Sequence, residues 1–100
     1  MHFVYIVRCA DGSLYTGYAR DPKARVRAHN SGRGAKYTRM KRPVKLVHAE
    51  YFELVTAAIE AERQIKGWSR AKKEALMKND FDLLSILSRS TAMKKKLGIT

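Results

Sequence analysis

Two tyrosines ten residues apart, Tyr5 and Tyr15, stand in a stretch that otherwise reads as plain strand, FVYIVRCADGSLYTGYAR. A phenol packs well on a strand and carries a polar tip, so a small sheet has use for one. With Tyr18 the stretch holds three, more than packing asks for, and a converging pair would make a two-phenol site. Downstream, Arg25 and His29 are four residues apart. On a helix they share a face and set a phosphate-binding cation beside a titratable imidazole. Either one alone is ordinary surface filler. Glu62 supplies a third kind of group. It falls at the edge of an apolar helical stripe, whereas Glu60 points into solvent. Such a boundary carboxylate either pairs with a neighbouring Lys or Arg, or holds one Mg²⁺ through a single oxygen, with most of the metal shell left to water and phosphate. The lone Cys9 excludes an intrachain disulfide framework and a Cys-rich zinc site, and reads as a small buried hydrophobe.

Whether Tyr5 and Tyr15 meet depends on one turn. If Asp11-Gly12 is a two-residue type I′ turn, Ala10 opposes Ser13, Tyr5 opposes Tyr18, and Tyr15 lies on the other face. If Ala10-Asp11-Gly12 is a three-residue loop with Gly12 left-handed, Cys9 opposes Ser13, Tyr5 faces Gly17 and Tyr15 faces Val7. Tyr5 and Tyr15 are then diagonal neighbours, roughly 7–8 Å apart on one face. Gly17, having no side chain, leaves space beside Tyr5. Only the second register permits a two-phenol site.

The elements that must hold these groups follow from pattern. Residues 2–9 and 13–18, rich in β-branched and aromatic side chains, form a hairpin. Asp21 is placed to cap a helix with Pro22 at its first position, and Gly32 to stop it. Residues 32–42 form a basic loop with one helical turn near Ala35 to Arg39, and VKLVHAEYF (44–52) is a third strand. Thr56 is the expected cap of a long helix whose stripe is Leu54, Ala58, Ala61, Ile65 and Trp68. A break near Trp68 opens another helix, residues 81–89 form a short one, and the tail from Ser90, with Lys94 to Lys96, has little to bury. The order β-β-α-β-α-α predicts an α/β (α+β) fold, a small three-stranded, mainly antiparallel sheet flanked by helices. One domain over residues 1–80 and a basic tail over 81–100 is the expected division.

The net charge of +12 matters chiefly by its placement: from Arg20 to Lys45 there are ten Lys/Arg and one acid, Asp21. That field attracts polyphosphate or acidic membrane surfaces. A solvated basic surface on a ribosome-associated protein carries the same composition. No run approaches the roughly 20 apolar residues of a membrane span, and the N-terminus lacks a signal-type pattern. The chain is therefore expected to be cytoplasmic, with no membrane partner.

Taken together, Tyr5, Tyr15, Arg25, His29 and Glu62 resemble the pattern of the GIY-YIG endonuclease family, in its small single-domain bacterial branch. Its two motifs appear as Phe3-Val4-Tyr5 and Tyr15-Thr16-Gly17. Arg25 and His29 occupy the places of the family arginine and histidine, and AIEAERQIK puts Glu62 in the place of the metal-binding glutamate. Phe3 replaces the first motif's glycine, and Val4 and Thr16 replace isoleucines. The resemblance implies a metal-dependent endonuclease with Tyr5, Tyr15, Arg25 and His29 as catalytic residues and one Mg²⁺ (or Mn²⁺) on Glu62. Its substrate is DNA, or RNA, gripped by the phosphate backbone at structures or damage rather than at a sequence. A binding module of the same fold that cleaves little is the alternative. Arg33, Lys36, Tyr37, Arg39, Lys41 and Arg42 would hold the nucleic acid; Tyr37 either stacks on a base or anchors its loop, the latter being favoured. Gly12 and Gly17 are the structural turns. The resemblance leaves the oligomeric state open.

Overall fold

The computed structural model describes residues 1–85. The hairpin is built from β1 (His2–Arg8) and β2 (Leu14–Ala19), followed by helix α1 (Pro22–Asn30), the short helix α2 (Lys36–Arg39) and strand β3 (Lys45–Phe52). Helices α3 (Val55–Lys66) and α4 (Arg70–Met77) follow. The three strands form one antiparallel sheet in the order β2-β1-β3. The fold class is the expected one, α+β, with α2 added as the single helical turn anticipated within the basic loop.

Gly12 decides the hairpin. Its φ is +86°, the left-handed region that glycine enters without strain, and its amide donates to the Cys9 carbonyl at 2.9 Å while Cys9 N–H reaches Ser13 O at 2.8 Å. The loop thus has three residues, and Tyr5 pairs with Gly17 and Val7 with Tyr15. Strand alternation then places Tyr5 and Tyr15 on one face and Tyr18 on the other. Tyr18 is occupied there by His2, whose Nδ1 lies 2.7 Å from its hydroxyl.

The face carrying Tyr5 packs on α1. Tyr5, Val7, Cys9, Ala19 and Val44 form a buried cluster, with Tyr15, Val26 and Leu46 packed against it. Leu46 reaches this face because of a bulge: Ile6 pairs with His48 but Val7 with Leu46, so Val47 is an extra residue that reverses the alternation of β3. Cys9 is buried, as a small hydrophobe should be. On the opposite face Val4, Ile6 and Thr16 are buried. Helix α3 packs against β1 and β2 and sinks Ala58 and Ile65 into the interior.

Helix α1 begins and ends as its sequence dictates. Asp21 accepts from Ala24 N–H at 3.1 Å, and Pro22 takes the first turn. At the other end Gly32, φ +86°, turns the chain so that Gly32 N–H bonds His29 O at 3.1 Å and Arg33 N–H bonds Ala28 O at 2.9 Å. The start of α3 departs from expectation. Its cap position is Leu54, which makes no side-chain bond, and Thr56 already lies within the helix. Leu54 is exposed, so the buried stripe narrows to Ala58 and Ile65 with Ala61 half-covered. One residue explains this: Leu54 leaves β3 in extended conformation and never joins the helical face.

The chain divides into two compact units, Met1–Gly67 and a second from Trp68 onward. The second opens with Ser69 as a true cap, its hydroxyl accepting from Lys72 N–H at 3.3 Å, and Lys72 Nζ lies 4.7 Å above the Trp68 ring. Residues 81–85 are helical. The rest of the helix expected to residue 89, and the lysine-bearing tail, lie outside the described residues. No helix among the described residues is long and apolar enough to cross a membrane.

Candidate active site

Tyr5 lies at the centre of the sheet, 2 % exposed, with its ring laid across Gly17. A Cβ on Gly17 would stand 2.5 Å from the phenol Cζ and 2.8 Å from Cε1, with the hydroxyl nearer still. The missing side chain is therefore what lets the phenol extend over β2. Its hydroxyl ends 2.9 Å from Nε2 of His29, itself buried on α1. Tyr15 meets the same imidazole edge-on, with ring centroids 5.6 Å apart. Tyr5, Tyr15 and His29, from three different elements, thus form one contact cluster.

Arg25 and Glu62 complete it electrostatically. Burial, first of all, and then the neighbouring Tyr15 push the Tyr5 phenol up to about 12; Arg25 opposes that shift by its charge and as a hydrogen-bond donor, and Glu62 reinforces it. Both charged groups therefore act on the same oxygen. Burial, and then the Arg25 guanidinium, hold His29 below its ordinary value. At neutral pH the site contains a protonated phenol and a neutral imidazole.

Glu62 is half-buried and pairs with Lys66 at 3.4 Å, one helical turn on. An i, i+4 pair of this kind is weak, worth about 0.3–0.5 kcal/mol. No group of three or more His, Cys, Asp or Glu able to hold a metal occurs among the described residues. A single carboxylate suits Mg²⁺, which keeps several waters and takes the rest of its shell from substrate phosphate. The donors fit that ion and do not fit zinc, which takes several His or Cys ligands.

The six residues expected to grip nucleic acid separate into two groups. Tyr37 has two ring partners: Tyr15 stacks on it with centroids 5.7 Å apart, and Lys41 Nζ stands 3.9 Å from its ring centre. That contact, with a 3.3 Å ion pair from Lys41 to Asp11 and a 2.9 Å bond from Ala10 N–H to Lys41 O, ties α2 to the hairpin loop. Arg42 donates to Arg39 O at 2.9 Å and reaches Asn30 O at 3.5 Å, which closes the end of α1. Arg33 bonds the Ser31 hydroxyl at 3.1 Å in the open. Lys36 and Arg39 are exposed, with no side-chain hydrogen bond or ion pair among the described residues.

Two residues of the site carried no warning in the sequence. Thr38 is fully buried, and its Oγ1 lies 2.7 Å from His29 Nδ1. Gly34 presses its backbone on the imidazole so closely that any Cβ there would collide with the ring. Both belong to the stretch GRGAKYTRMKR, which reads as a charged loop because its polar majority hides two small residues facing inward. Asn30 was overlooked too; its amide bonds both the N–H (2.7 Å) and the carbonyl (3.1 Å) of Val44, locking the loop's far end to α1.

A phenol over a glycine, backed by an imidazole and within the electrostatic influence of one guanidinium and one carboxylate, is a set of groups able to pass a proton and to attract an anion. The GIY-YIG catalytic domain matches residues 1–75, and the chain belongs to that family of nucleases. It is 57 % identical over 77 residues to a UPF0213 protein of Staphylococcus aureus strain Mu3, covering 77 % of this chain and 94 % of that one. Among solved structures it resembles the UPF0213 protein BH0048 of Bacillus halodurans, with a TM-score of 0.51 and 47 % identity over 77 % of this chain and 82 % of that one. It also resembles the E. faecalis protein EF2693, with a TM-score of 0.56 and 44 % identity over 80 % and 85 % of the two chains.

Proposed function

We propose that the protein is a divalent-metal-dependent endonuclease that hydrolyses phosphodiester bonds in DNA, directed by structure or damage rather than by sequence. The observation that carries this reading is the hydrogen bond from Tyr5 to His29, with Arg25 and Glu62 acting on the same phenol.

A phenol held near 12 is not a phenolate at neutral pH, so Tyr5 acts as a relay. Water gives its proton to the Tyr5 oxygen as that oxygen passes its own proton to His29 Nε2. The hydroxide forms a bond to phosphorus, and the bond from phosphorus to the 3′ oxygen breaks. Tyr15, in edge contact with His29, orients the water or the phosphate. Arg25 stabilises the charge that builds on the phosphate, an effect worth about 3–4 kcal/mol when one such donor is lost. Glu62 would hold the metal, and when bound the ion supplies Lewis-acid stabilisation of the departing oxygen. Backbone contact from Lys36, Arg39 and Arg33 gives affinity without reading bases, which suits recognition by shape.

The test is nicking of plasmid and branched DNA with Mg²⁺ by the wild type and by Arg25→Ala, Glu62→Ala and Tyr5→Phe. Loss of about 10²–10³-fold in each variant is expected. Equal cutting by all four proteins overturns the site. Binding with steep salt dependence and no cutting by any of them would identify a nucleic-acid-binding module instead.

A further inference from the structure

The line of hydrogen bonds behind Tyr5 does not stop at His29, and its last member fixes the direction of all the others. Thr38 Oγ1 lies 2.9 Å from the carbonyl oxygen of Ala35. A carbonyl has no proton, so the Thr38 hydroxyl must donate its single proton there; two bare oxygens at that separation would repel. The same Oγ1 lies 2.7 Å from His29 Nδ1. With its own proton spent, Thr38 can only accept, and the proton in this bond is on Nδ1. A neutral imidazole protonated at Nδ1 carries its lone pair on Nε2, the atom 2.9 Å from the Tyr5 hydroxyl.

We propose that Thr38 is the positioning residue that sets His29 in its Nδ1–H tautomer and so makes Nε2 the acceptor for the Tyr5 proton. Thr38 touches neither substrate nor the reacting atoms; it acts through the imidazole. In the other tautomer, Nε2–H would point at Tyr5 and the phenol would become an acceptor. The relay toward His29 would then be blocked, because Nε2 would already hold a proton. Three features of the sequence build the device. Ala35 begins the one helical turn that offers a carbonyl three residues before Thr38. Gly34 clears the space against the ring, and Lys41 and Tyr37 pin the turn to the hairpin. Burial closes it: His29 is 1 % exposed and Thr38 0 %, so water does not compete for either ring nitrogen.

As an element of the hydrolysis above, this role rests on that reading, but the tautomer can be measured without any nuclease activity. The experiment is ¹⁵N NMR of the imidazole nitrogens in full-length protein labelled at histidine, above pH 7, on wild type, Thr38→Val and Thr38→Ser. The expected wild-type spectrum has a pyrrole-type Nδ1 and a pyridine-type Nε2 for His29. Thr38→Val keeps the shape but removes the hydroxyl, and is expected to lose that pattern to the Nε2–H form; Thr38→Ser is expected to restore it. A wild-type His29 protonated at Nε2 overturns the proposal even if the valine variant fails to fold. An unchanged Nδ1–H pattern in a folded Thr38→Val overturns it as well.

Nicking read beside the spectra separates the two claims. If the protein cuts DNA, Thr38→Val is expected to lose about 10–100-fold, as removal of an outer-shell partner does elsewhere, with Thr38→Ser within a few-fold of wild type. A tautomer that switches in Thr38→Val while nicking stays at the wild-type rate overturns the positioning role. If wild type does not nick at all, the nuclease reading fails, and the spectra alone decide whether Thr38 sets the tautomer.

Discussion

Gly17→Ala adds one methyl group at the point on which the site depends. The new Cβ would stand 2.5 Å from Tyr5 Cζ and 2.8 Å from Cε1, against the 3.5–4.0 Å that carbon atoms prefer, so the ring must retreat by about 1 Å. It has nowhere to go, being 2 % exposed and held at its tip by His29. Overpacking of this kind costs about 1–3 kcal/mol. Pulling the phenol from Nε2 strands a buried acceptor, at about 1–3 kcal/mol more. Against this, alanine is worth about 0.5–1 kcal/mol over glycine in a strand interior. The net expectation, taking the middle of each range, is a loss of about 3 kcal/mol. With a urea m-value near 1 kcal/mol/M for a domain of this size, the midpoint should fall by about 3 M. In a Tyr5→Leu background the methyl has room, so a double-mutant cycle should return a coupling of about 3–4 kcal/mol. A Gly17→Ala protein within about 0.5 kcal/mol of wild type, the usual range of an inert substitution, would show that the ring does not lie over Gly17.

Four further outcomes follow from charged and titrating groups. Tyr5 keeps its proton to about 12 when folded and to about 10 when unfolded, so its contribution is complete below pH 10 and is lost between pH 10 and 12, about 2–3 kcal/mol by linkage; a flat alkaline stability profile would contradict its burial. His29 runs the other way: its lowered value makes its contribution complete above pH 6.5 and lost as pH falls through the folded value, which thermal melts between pH 7 and 4 should show in wild type and not in His29→Gln. In salt titrations of DNA binding, Lys36→Ala and Arg39→Ala should each lower the slope of log K against log salt by about 0.9 while leaving stability alone. Arg42→Ala should instead lose about 1 kcal/mol of stability, because its guanidinium serves two backbone carbonyls.

The fold was legible where a local rule had a single outcome. Asp21-Pro22 and Gly32 bound α1 as written, and the β3 pattern survived except for its bulge at Val47. The hairpin was legible only as two registers, because Asp-Gly serves both loop lengths and the choice lies in how Cys9 meets Ser13. Leu54 misled, since its position in the apolar spacing is right for a helix it does not enter. In the site, Tyr5, Tyr15 and His29 came together as their spacing allowed once Gly12 chose the register. What sequence could not separate was the basic loop. Lys36 and Lys41 are alike in composition, yet one is open to solvent and the other is spent on Asp11 and Tyr37. Thr38 was hidden for the same reason: whether a hydroxyl in a polar run faces inward is a tertiary fact. Thr16 shows the reverse case, a buried hydroxyl with no partner among the described residues, at a motif position where an isoleucine would have had nothing to satisfy.

The proton inventory ties these pieces into one direction of flow. Ala35 offers a carbonyl, Thr38 must donate to it, His29 must donate to Thr38, and Tyr5 must donate to His29. Each bond has one admissible orientation given the one behind it, and the chain ends at a phenol oxygen that feels the charges of Arg25 and Glu62. The pKa directions agree with that order. A phenol held above its ordinary value retains the proton it must pass on, and an imidazole held below its own stays empty to receive it. A phenolate ready to act as base would need the opposite shift at Tyr5. In the proposed hydrolysis the resting site is therefore a relay and not a preformed base, its direction decided by a carbonyl oxygen three hydrogen bonds from the phenol.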